Sequence, residues 1–309
     1  MPKISVVVLN WNGRRYLQDC LPSIKKQSYR DFEIILVDNA STDGSVGYVK
    51  KNFKNIKVIQ NKTNVGFCRG NNLGIENSMG DYIFILNNDT RLDKNCLKEL
   101  MNSVNRNPHT GMLCPKISYH DTKETDSLGL VISKSGLSKD IKDYKTKPFC
   151  PCGGAAFYKR EMLEDIKLDD DYYDSDYFIY MEDYDLGFRA RLRGWECTAV
   201  PKAIVYHLHG ATMKNQPDKS VYLGIRNRLY TIIKNYPSKF LIKYFFHIKI
   251  LHFVIFVRYL FKGKLLIFLK AYYDFIRSFP RLIKKRRLIQ KRKKISNKEL
   301  DKLFEDSIF

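Results

Sequence analysis

ISVVVLNWNG (4–13) and FEIILVDNASTDGS (32–45) decide the fold class. Each begins with a nearly continuous apolar run, ISVVVL (4–9) and FEIILVD (32–38), and ends in a cluster of small polar residues. Such runs suit strands buried on both faces of a sheet. Between them, Arg14 to Gln27 carries Leu17, Leu21 and Ile24 at helical spacing. Ser41-Thr42-Asp43 reads as a helix start leading into Val46 to Phe53. IKVIQN (56–61) is a third strand, Gly66 to Ser78 a helix, and DYIFILNND (81–89) a fourth strand. This alternation predicts an α/β fold built on a doubly wound, mainly parallel, Rossmann-like sheet. Ligands of such sheets bind beyond the carboxyl ends of the strands. Here those ends are Leu9-Asn10, Asp38-Asn39, Asn61 to Asn64 and Asn87 to Asp89.

Farther along, MLCPKISY (112–119) is strand-like and PCGGAAFYKR (151–160) follows a loop-rich stretch. The acidic run DDDYYDSDYFIYMEDYDL (169–186) leads into the helical GFRARLRG, and CTAVPKAIVYHLHG (197–210) reads as a closing strand. Most of Asp169 to Asp176 is expected to be solvated loop. No repeat of fixed period is present. A chain of 309 residues accommodates about two domains of ~150 residues, or one large α/β unit. The division expected here is a catalytic body, 1–230, and a helical extension, 231–309.

Charge supports that division. The net charge is +21, and Thr231 to Phe309 holds 20 basic against 5 acidic residues. Phe240 to Phe275 is apolar and aromatic but interrupted by lysines and Arg258; its longest uncharged stretch, Ile250 to Val257, has eight residues. A spanning helix needs about 20 apolar residues, so an interfacial helix or helical hairpin on an anionic membrane surface is expected instead. RLIKKRRLIQKRKK (281–294) adds a basic block suited to anionic lipid. A packed C-terminal helix with a solvated charge run is the competing reading. Nucleic acid is not an expected partner, because no recognition motif accompanies the block. The seven cysteines are scattered, and their one close pair, Cys150-Pro151-Cys152, has no second pair to make a zinc site. That pattern suits a reducing compartment. The opening apolar run is too short for a signal peptide, and secretion is not expected.

VVVLNWNG, ILVDNASTDGS, NVGFCRGNNLGI, GDYIFILNNDT, CGGAAF, YMEDYDLGFRA and PKAIVYHLHGAT occur in that order across residues 4–230. Together they resemble the inverting family 2 glycosyltransferases of the GT-A fold, above all the bacterial rhamnosyltransferase-like members. The resemblance implies a nucleotide-sugar donor, a divalent metal and a single displacement. Mn²⁺ or Mg²⁺ suits a diphosphate leaving group, since both prefer oxygen ligands and substrate phosphates. Asn87-Asn88-Asp89 matches the family's Asp-x-Asp type motif, with Asp89 as the metal carboxylate. His207 is the matching histidine, although His209 shares its strand face and the sequence does not separate them.

By the same resemblance Asp38 accepts the imide N–H of a uracil or thymine base. Asn10, Asn39, Arg69 and Asn88 are further nucleotide-sugar positions. Asp183, in Met181-Glu182-Asp183, is the base that deprotonates the acceptor hydroxyl; a helix-capping role is its structural alternative. Glu182, Gly153, Gly154 and Ala155 are acceptor-side positions. The QxxRW motif of processive synthases is absent, and YLGIRNR (222–228) offers Arg226 and Arg228 for the diphosphate instead. One sugar per encounter is therefore expected, moved from a UDP- or dTDP-sugar to a lipid-linked saccharide at the cytoplasmic face of a bacterial inner membrane. A sugar nucleotidyltransferase would need a Gly-rich loop after the first strand, where only Gly13 occurs. An inert nucleotide-sugar or membrane binding module is the other alternative.

Overall fold

The computed structural model describes residues 3–104, 109–208 and 216–305. In the first half, strands β1 (Ile4–Asn10), β2 (Phe32–Asp38), β3 (Lys57–Gln60) and β4 (Tyr82–Asn87) alternate with helices α1 (Arg14–Lys25), α2 (Ser45–Asn52) and α3 (Gly66–Glu76). Next come β5 (Thr90–Leu92), α4 (Cys96–Val104), β6 (Thr110–Tyr119), β7 (Thr125–Ser127), β8 (Leu130–Ile132) and β9 (Ser138–Asp140). The body continues through β10 (Ala155–Lys159), α5 (Arg160–Ile166), α6 (Glu182–Leu192) and β11 (Glu196–His207). Five helices follow: α7 (Pro217–Asn235), α8 (Ser238–Lys243), α9 (Phe245–Phe261), α10 (Leu265–Lys291) and α11 (Asn297–Asp301).

The main sheet runs β3-β2-β1-β4-β10-β6-β11-β5, with β7 beside β6. β1 to β4 are mutually parallel, as expected, while β10 enters antiparallel to both β4 and β6. The side-chain period of two sorts the core. Val7, Ile35, Ile83 and Ile85 face one layer, with α3 and α6, whereas Val6, Val8, Ile34, Leu36 and Phe84 face α1, α2 and α4. Asn10 ends in register with Asp38, and Leu9 with Asn87, so three strand ends open at one edge.

The boundary expected at 230/231 falls inside α7. Leu282, Ile289, Leu300 and Phe304 belong to the same core cluster as Ile35 and Phe188, and the Glu305 N–H donates to the Ile132 carbonyl at 2.9 Å. One face of the basic block packs on the body, because Leu282 and Ile289, two turns apart, are buried. Its cations also have internal duties. Arg286 donates to the carbonyls of Ile233 and Tyr236, each at 2.6 Å, satisfying the end of α7. Among the described residues, no helix is long and apolar enough to cross a membrane.

The acidic run is not a solvated loop throughout. Asp174 is fully buried, held by Lys234 and by Lys285 at 2.6 Å. Lys234, from α7, also lies 2.8 Å from Asp185 of α6, and Arg189 approaches the same carboxylate at 3.0 Å. The cations needed to neutralise these acids lie as far as 111 residues along the chain. That distance hides the pairing from a local reading.

Candidate active site

A cavity of about 310 Å³ opens at the strand ends, lined by Leu9, Trp11, Asn39, Asn64, Asn87, Asn88, Asp89 and His207. Gly66, Phe67, Phe178, Ile179, Tyr180, Gln216 and Lys219 close its other walls. Its floor is a chain of buried amides. Asn88 donates to Asn10 Oδ1 at 2.7 Å, and Asn10 donates to Asp38 Oδ1 at 2.8 Å. Gly13 is required beneath them, since a Cβ there would stand 2.0 Å from Asn88 Nδ2. Asp38 also receives the Ser41 N–H at 2.9 Å and the Ser41 hydroxyl at 2.6 Å. Three donors occupy most of a carboxylate's acceptor capacity. Asp38 therefore braces the turn, and it is Asn39 that reaches the cavity wall.

β11 lies antiparallel along β5, pairing His207 with Thr90, and the Leu208 N–H donates to the Asp89 carbonyl at 3.0 Å. This places His207 Nε2 3.2 Å from Asp89 Oδ1, a buried oxygen that accepts no well-aligned hydrogen bond. A carboxylate oxygen left in that state, beside an imidazole nitrogen, fits a divalent cation. Among the described residues no group of three His, Cys, Asp or Glu side chains converges on a metal position. Asp89 and His207 could thus hold two positions of such an ion. His209 lies outside the described residues.

Asp183 sits in the first turn of α6. It accepts from the Tyr184 N–H at 2.8 Å and the Gly153 N–H at 3.3 Å. Burial pushes its carboxyl up to about 6 despite those two donors, with Asp140 adding to the rise. Glu182 is buried and its Oε2 has no partner; burial, then the Asp183 charge, holds its carboxyl well above the usual range. A Cβ on Gly153 would lie 3.5 Å from Glu182 Oε1 and 3.7 Å from Asp183 Oδ2. One on Gly154 would lie 3.7 Å from Asn87 Nδ2 and 3.9 Å from His207 Cε1. The two glycines therefore stand between Asp183 and the Asp89–His207 corner, with Phe67 bordering both sides. Asp183 is not itself a wall of the cavity.

The backbone leading into α6 is strained. Phe178, Tyr180 and Met181 all have positive φ, at 65°, 72° and 67°. Two clamps hold it. The Phe178 carbonyl accepts the Phe67 N–H at 2.7 Å and the Cys68 N–H at 3.2 Å, and Asn227 Nδ2 donates to the Tyr177, Ile179 and Tyr180 carbonyls at 2.8–3.0 Å. Gly66 makes room for the first clamp, as a Cβ there would strike the Phe178 ring at 2.5 Å.

Several expected positions stand elsewhere. Arg226 lines a separate cavity with Tyr222 and donates to the Asp176 carbonyl at 3.0 Å, so it props the loop from behind. Arg228 also lies away from the Asp89 cavity, where the lysine among the described residues is Lys219, 4.5 Å from the Phe178 ring centre. Arg69 is exposed in the first turn of α3. Ala155 is 1% exposed in the core, paired beside Leu86 of β4, which leaves it no surface for an acceptor. Trp11, Lys219 and Asn227 escaped the sequence reading. The signal for Lys219 was present, a lysine three residues before YLGIRNR on the same helix.

Residues 5–167, just over half of the chain, match the family described as glycosyl transferase family 2. The chain belongs to that family. A Mycobacterium tuberculosis N-acetylglucosaminyl-diphospho-decaprenol L-rhamnosyltransferase is 24% identical over 264 residues, 73% of this chain and 84% of that relative. The match spans only 35% to 66% of three other curated relatives. Among solved structures, Staphylococcus aureus TarS 1-349 in complex with UDP-GlcNAc superposes with a TM-score of 0.63 at 20% identity, covering 93% of this chain and 88% of that one. A Pyrobaculum calidifontis mannosyltransferase in complex with GDP-Man and Mn²⁺ gives 0.56 at 18% identity, covering 87% and 74%. These likenesses establish the GT-A fold for this family 2 member, with β10 as its antiparallel insertion and the C-terminal helices packed against the body.

Proposed function

We propose that this family 2 member transfers one sugar per encounter, with inversion, from a UDP- or dTDP-sugar to a hydroxyl of a lipid-linked saccharide. Rhamnose, galactose or galactofuranose are the sugars considered. The carrying observation is the placement of the Asp89–His207 corner and the Asp183 carboxylate on the two sides of the Gly153–Gly154 turn. The mycobacterial relative's lipid-linked substrate supports the acceptor class, and the UDP-GlcNAc of the TarS complex supports the donor class.

In this reading Asp89 and His207 would hold a Mn²⁺ or Mg²⁺ ion, which would supply charge neutralisation for a departing diphosphate. Lys219 adds an exposed cation to the wall, and Asn39, Asn88 and Trp11 shape the donor's bed. Asp183, ionised, takes the acceptor hydroxyl proton onto a carboxylate oxygen. A carboxyl raised to about 6 is well matched to that task near neutrality. Glu182 holds a proton more firmly than an exposed acid would.

Asp89→Ala should weaken donor binding in Mn²⁺ by about tenfold or more, since even outer-sphere losses at metal sites reach that size. Calorimetry with and without Mn²⁺ checks this: an Asp89→Ala chain that binds a UDP-sugar with unchanged metal dependence would remove Asp89 from the ion. An inert binding module is the second reading, favoured by the single carboxylate at the corner. Metal-dependent hydrolysis of the donor excludes it.

Peripheral attachment to the cytoplasmic face of a bacterial inner membrane is part of the proposal. α9 and α10 form a helical hairpin that leaves Phe246, Phe253, Phe261, Leu266 and Tyr273 exposed, with Lys249, Arg258, Lys262 and Lys264 beside them. Aromatic residues at the acyl boundary with cations at the headgroups suit an anionic interface. Phe253→Ser with Phe261→Ser should cut partitioning onto phosphatidylglycerol vesicles by roughly tenfold or more, from about 1.5–3 kcal/mol per buried Phe. Co-sedimentation equal to that of the unaltered chain would refute the attachment.

A further inference from the structure

α7 and α10 lie side by side, joined by Ile225, Phe268 and Ala271. Between the same two helices is a groove of about 430 Å³. α7 contributes Tyr222, Arg226 and Tyr230, which recur at four-residue steps and so share a face. α10 contributes Asp274, Arg277, Ser278 and Arg281. Three guanidiniums thus line a groove that holds one carboxylate.

The α7 wall is fixed. The Arg226 guanidinium lies 5.3 Å from the Tyr222 ring centre and 5.0 Å from that of Tyr230, and it donates to Asn227 Oδ1 at 2.8 and 2.9 Å. The Tyr230 and Ser278 hydroxyls share a hydrogen bond of 2.6 Å across the groove. Asp274 accepts the Tyr222 hydroxyl at 2.6 Å, and Lys270, one turn before it, stands 5.5 Å from the centre of that ring. The one acid is therefore already engaged, with a further cation beside its partner.

The α10 wall is open. Arg277 and Arg281, one turn apart, are both exposed. Arg281 Nε meets Asp176 at 2.8 Å and its Nη2 reaches the Ser278 hydroxyl at 3.4 Å, which leaves Nη1 without a partner among the described residues. Asp176 also has Lys285 at 2.8 Å, so Arg281 is not its sole neutralising charge. Arg277 makes no ion pair among the described residues; its guanidinium is 5.6 Å from the Tyr273 ring centre.

That ring leads to the next stripe of α10. Leu266, Leu269, Tyr273 and Ile276 are exposed and follow one another at three- and four-residue steps, so they form one apolar face. Around the helix the order is exposed hydrocarbon, cation, then a groove with hydroxyls. An anionic lipid has the same order of parts: acyl chain, phosphodiester, head-group alcohol. A free anion would leave the apolar stripe without a counterpart.

We propose that the α7–α10 groove binds the phosphodiester head group of an anionic membrane lipid of the phosphatidylglycerol type. Arg277 and Arg281 take the phosphate oxygens, since a guanidinium offers phosphate two parallel N–H donors. The Ser278 and Tyr230 hydroxyls meet the head-group alcohol, and the acyl chains run over Tyr273 and Ile276. This inference rests on the membrane attachment proposed above and names the lipid chemistry and the side chains that select it.

The test titrates the full chain by calorimetry with dihexanoyl phosphatidylglycerol below its micelle concentration. Dihexanoyl phosphatidylcholine, inorganic phosphate and geranyl diphosphate are run beside it. Phosphatidylglycerol affinity should fall about tenfold or more in Arg277→Gln with Arg281→Gln. It should fall about threefold in Arg277→Lys with Arg281→Lys, which keeps the charge and loses the paired donors. Lys284→Gln with Arg287→Gln removes the same charge outside the groove and should leave affinity nearly unchanged, because salt screens exposed charges. Affinity equal to that of the unaltered chain in either groove variant overturns the proposal. An equal loss in the Lys284 and Arg287 variant also overturns it, by marking a diffuse field. Should the Gln variant unfold, the Lys variant, which keeps a cation beside Asp176, decides. Phosphatidylcholine or inorganic phosphate binding as tightly overturns the anionic-lipid assignment, and geranyl diphosphate displacing the lipid at lower concentration gives the groove to the acceptor instead. Vesicle co-sedimentation by a chain that binds no soluble phosphatidylglycerol would refute the groove and leave the attachment standing. Arg277-dependent lipid binding in a chain whose co-sedimentation ignores Phe253 and Phe261 would uphold the groove and refute that attachment.

Discussion

Asp183→Asn should lower sugar transfer by roughly 10²- to 10⁴-fold, the range over which a positioned base contributes, with donor binding retained. The amide keeps the shape and can still accept from the Tyr184 N–H, but it takes no proton. The pH dependence gives an independent check. Burial raises the Asp183 carboxyl to about 6 in the folded chain, so below that value the base is protonated and idle. Above it the base is free. Turnover at low acceptor concentration should therefore rise with pH, reach half its limit near 6 and level off. Glu182 and Asp183 lie close enough to titrate as a pair, so the inflection belongs to both. The Asn variant should lose the inflection. A variant turning over at the normal rate would take the proton-accepting role away from Asp183.

The second large effect concerns folding. Lys234→Met should destabilise the chain by about 3–5 kcal/mol, the usual consequence of breaking a buried ion pair. For a chain of this size that lowers the melting temperature by on the order of 10 °C. Lys234 lies between Asp174 and Asp185, and all three side chains are fully buried. Lys285 and Arg189 remain after the substitution, but each was already engaged with one of those acids. Acid should do similar damage. Burial alone would raise Asp174 and Asp185, yet Lys234 outweighs it, aided by Lys285 at Asp174 and Arg189 at Asp185, and both carboxyls end below their usual range. Groups of lowered pKa contribute stability that is full above their unfolded value, about 3.9, and is lost as pH falls through the folded one. Thermal melts from pH 7 to pH 2 should thus show this contribution disappearing below about pH 4, with a smaller acid-dependent loss in Lys234→Met.

The parallel half of the sheet was legible because Ile4 to Leu9 and Phe32 to Asp38 carry one message at every level, local propensity and burial alike. The rule that ligands gather at carboxyl strand ends then located Asn39, Asn88 and Asp89. Pairing across long separations was not legible. Nothing local to Asp174 announces Lys234, and nothing near Arg226 shows that its guanidinium is spent on the Asp176 carbonyl. Backbone strain was hidden for a different reason. Phe178, Tyr180 and Met181 are residue types that avoid positive φ, so their conformation is imposed by Asn227 and by the start of α3 rather than encoded where it occurs. Within the basic block the cations attract notice, while Leu282 and Ile289, which seat the helix on the body, do not.

α7 touches several parts at once: Asn227 holds the strained loop, Lys234 neutralises Asp174 and Asp185, and Ile225 packs with Phe268 and Ala271 of the hairpin. A chimaera grafting another family member's tail at residue 230 would cut through this spindle and inherit mismatched halves. Exchange of the exposed aromatic hairpin between relatives must therefore carry the whole of α7 with it, and with it the residues that tension the loop ahead of Asp183. In this chain, changes to that hairpin and changes to the Asp183 corner are not free to proceed separately.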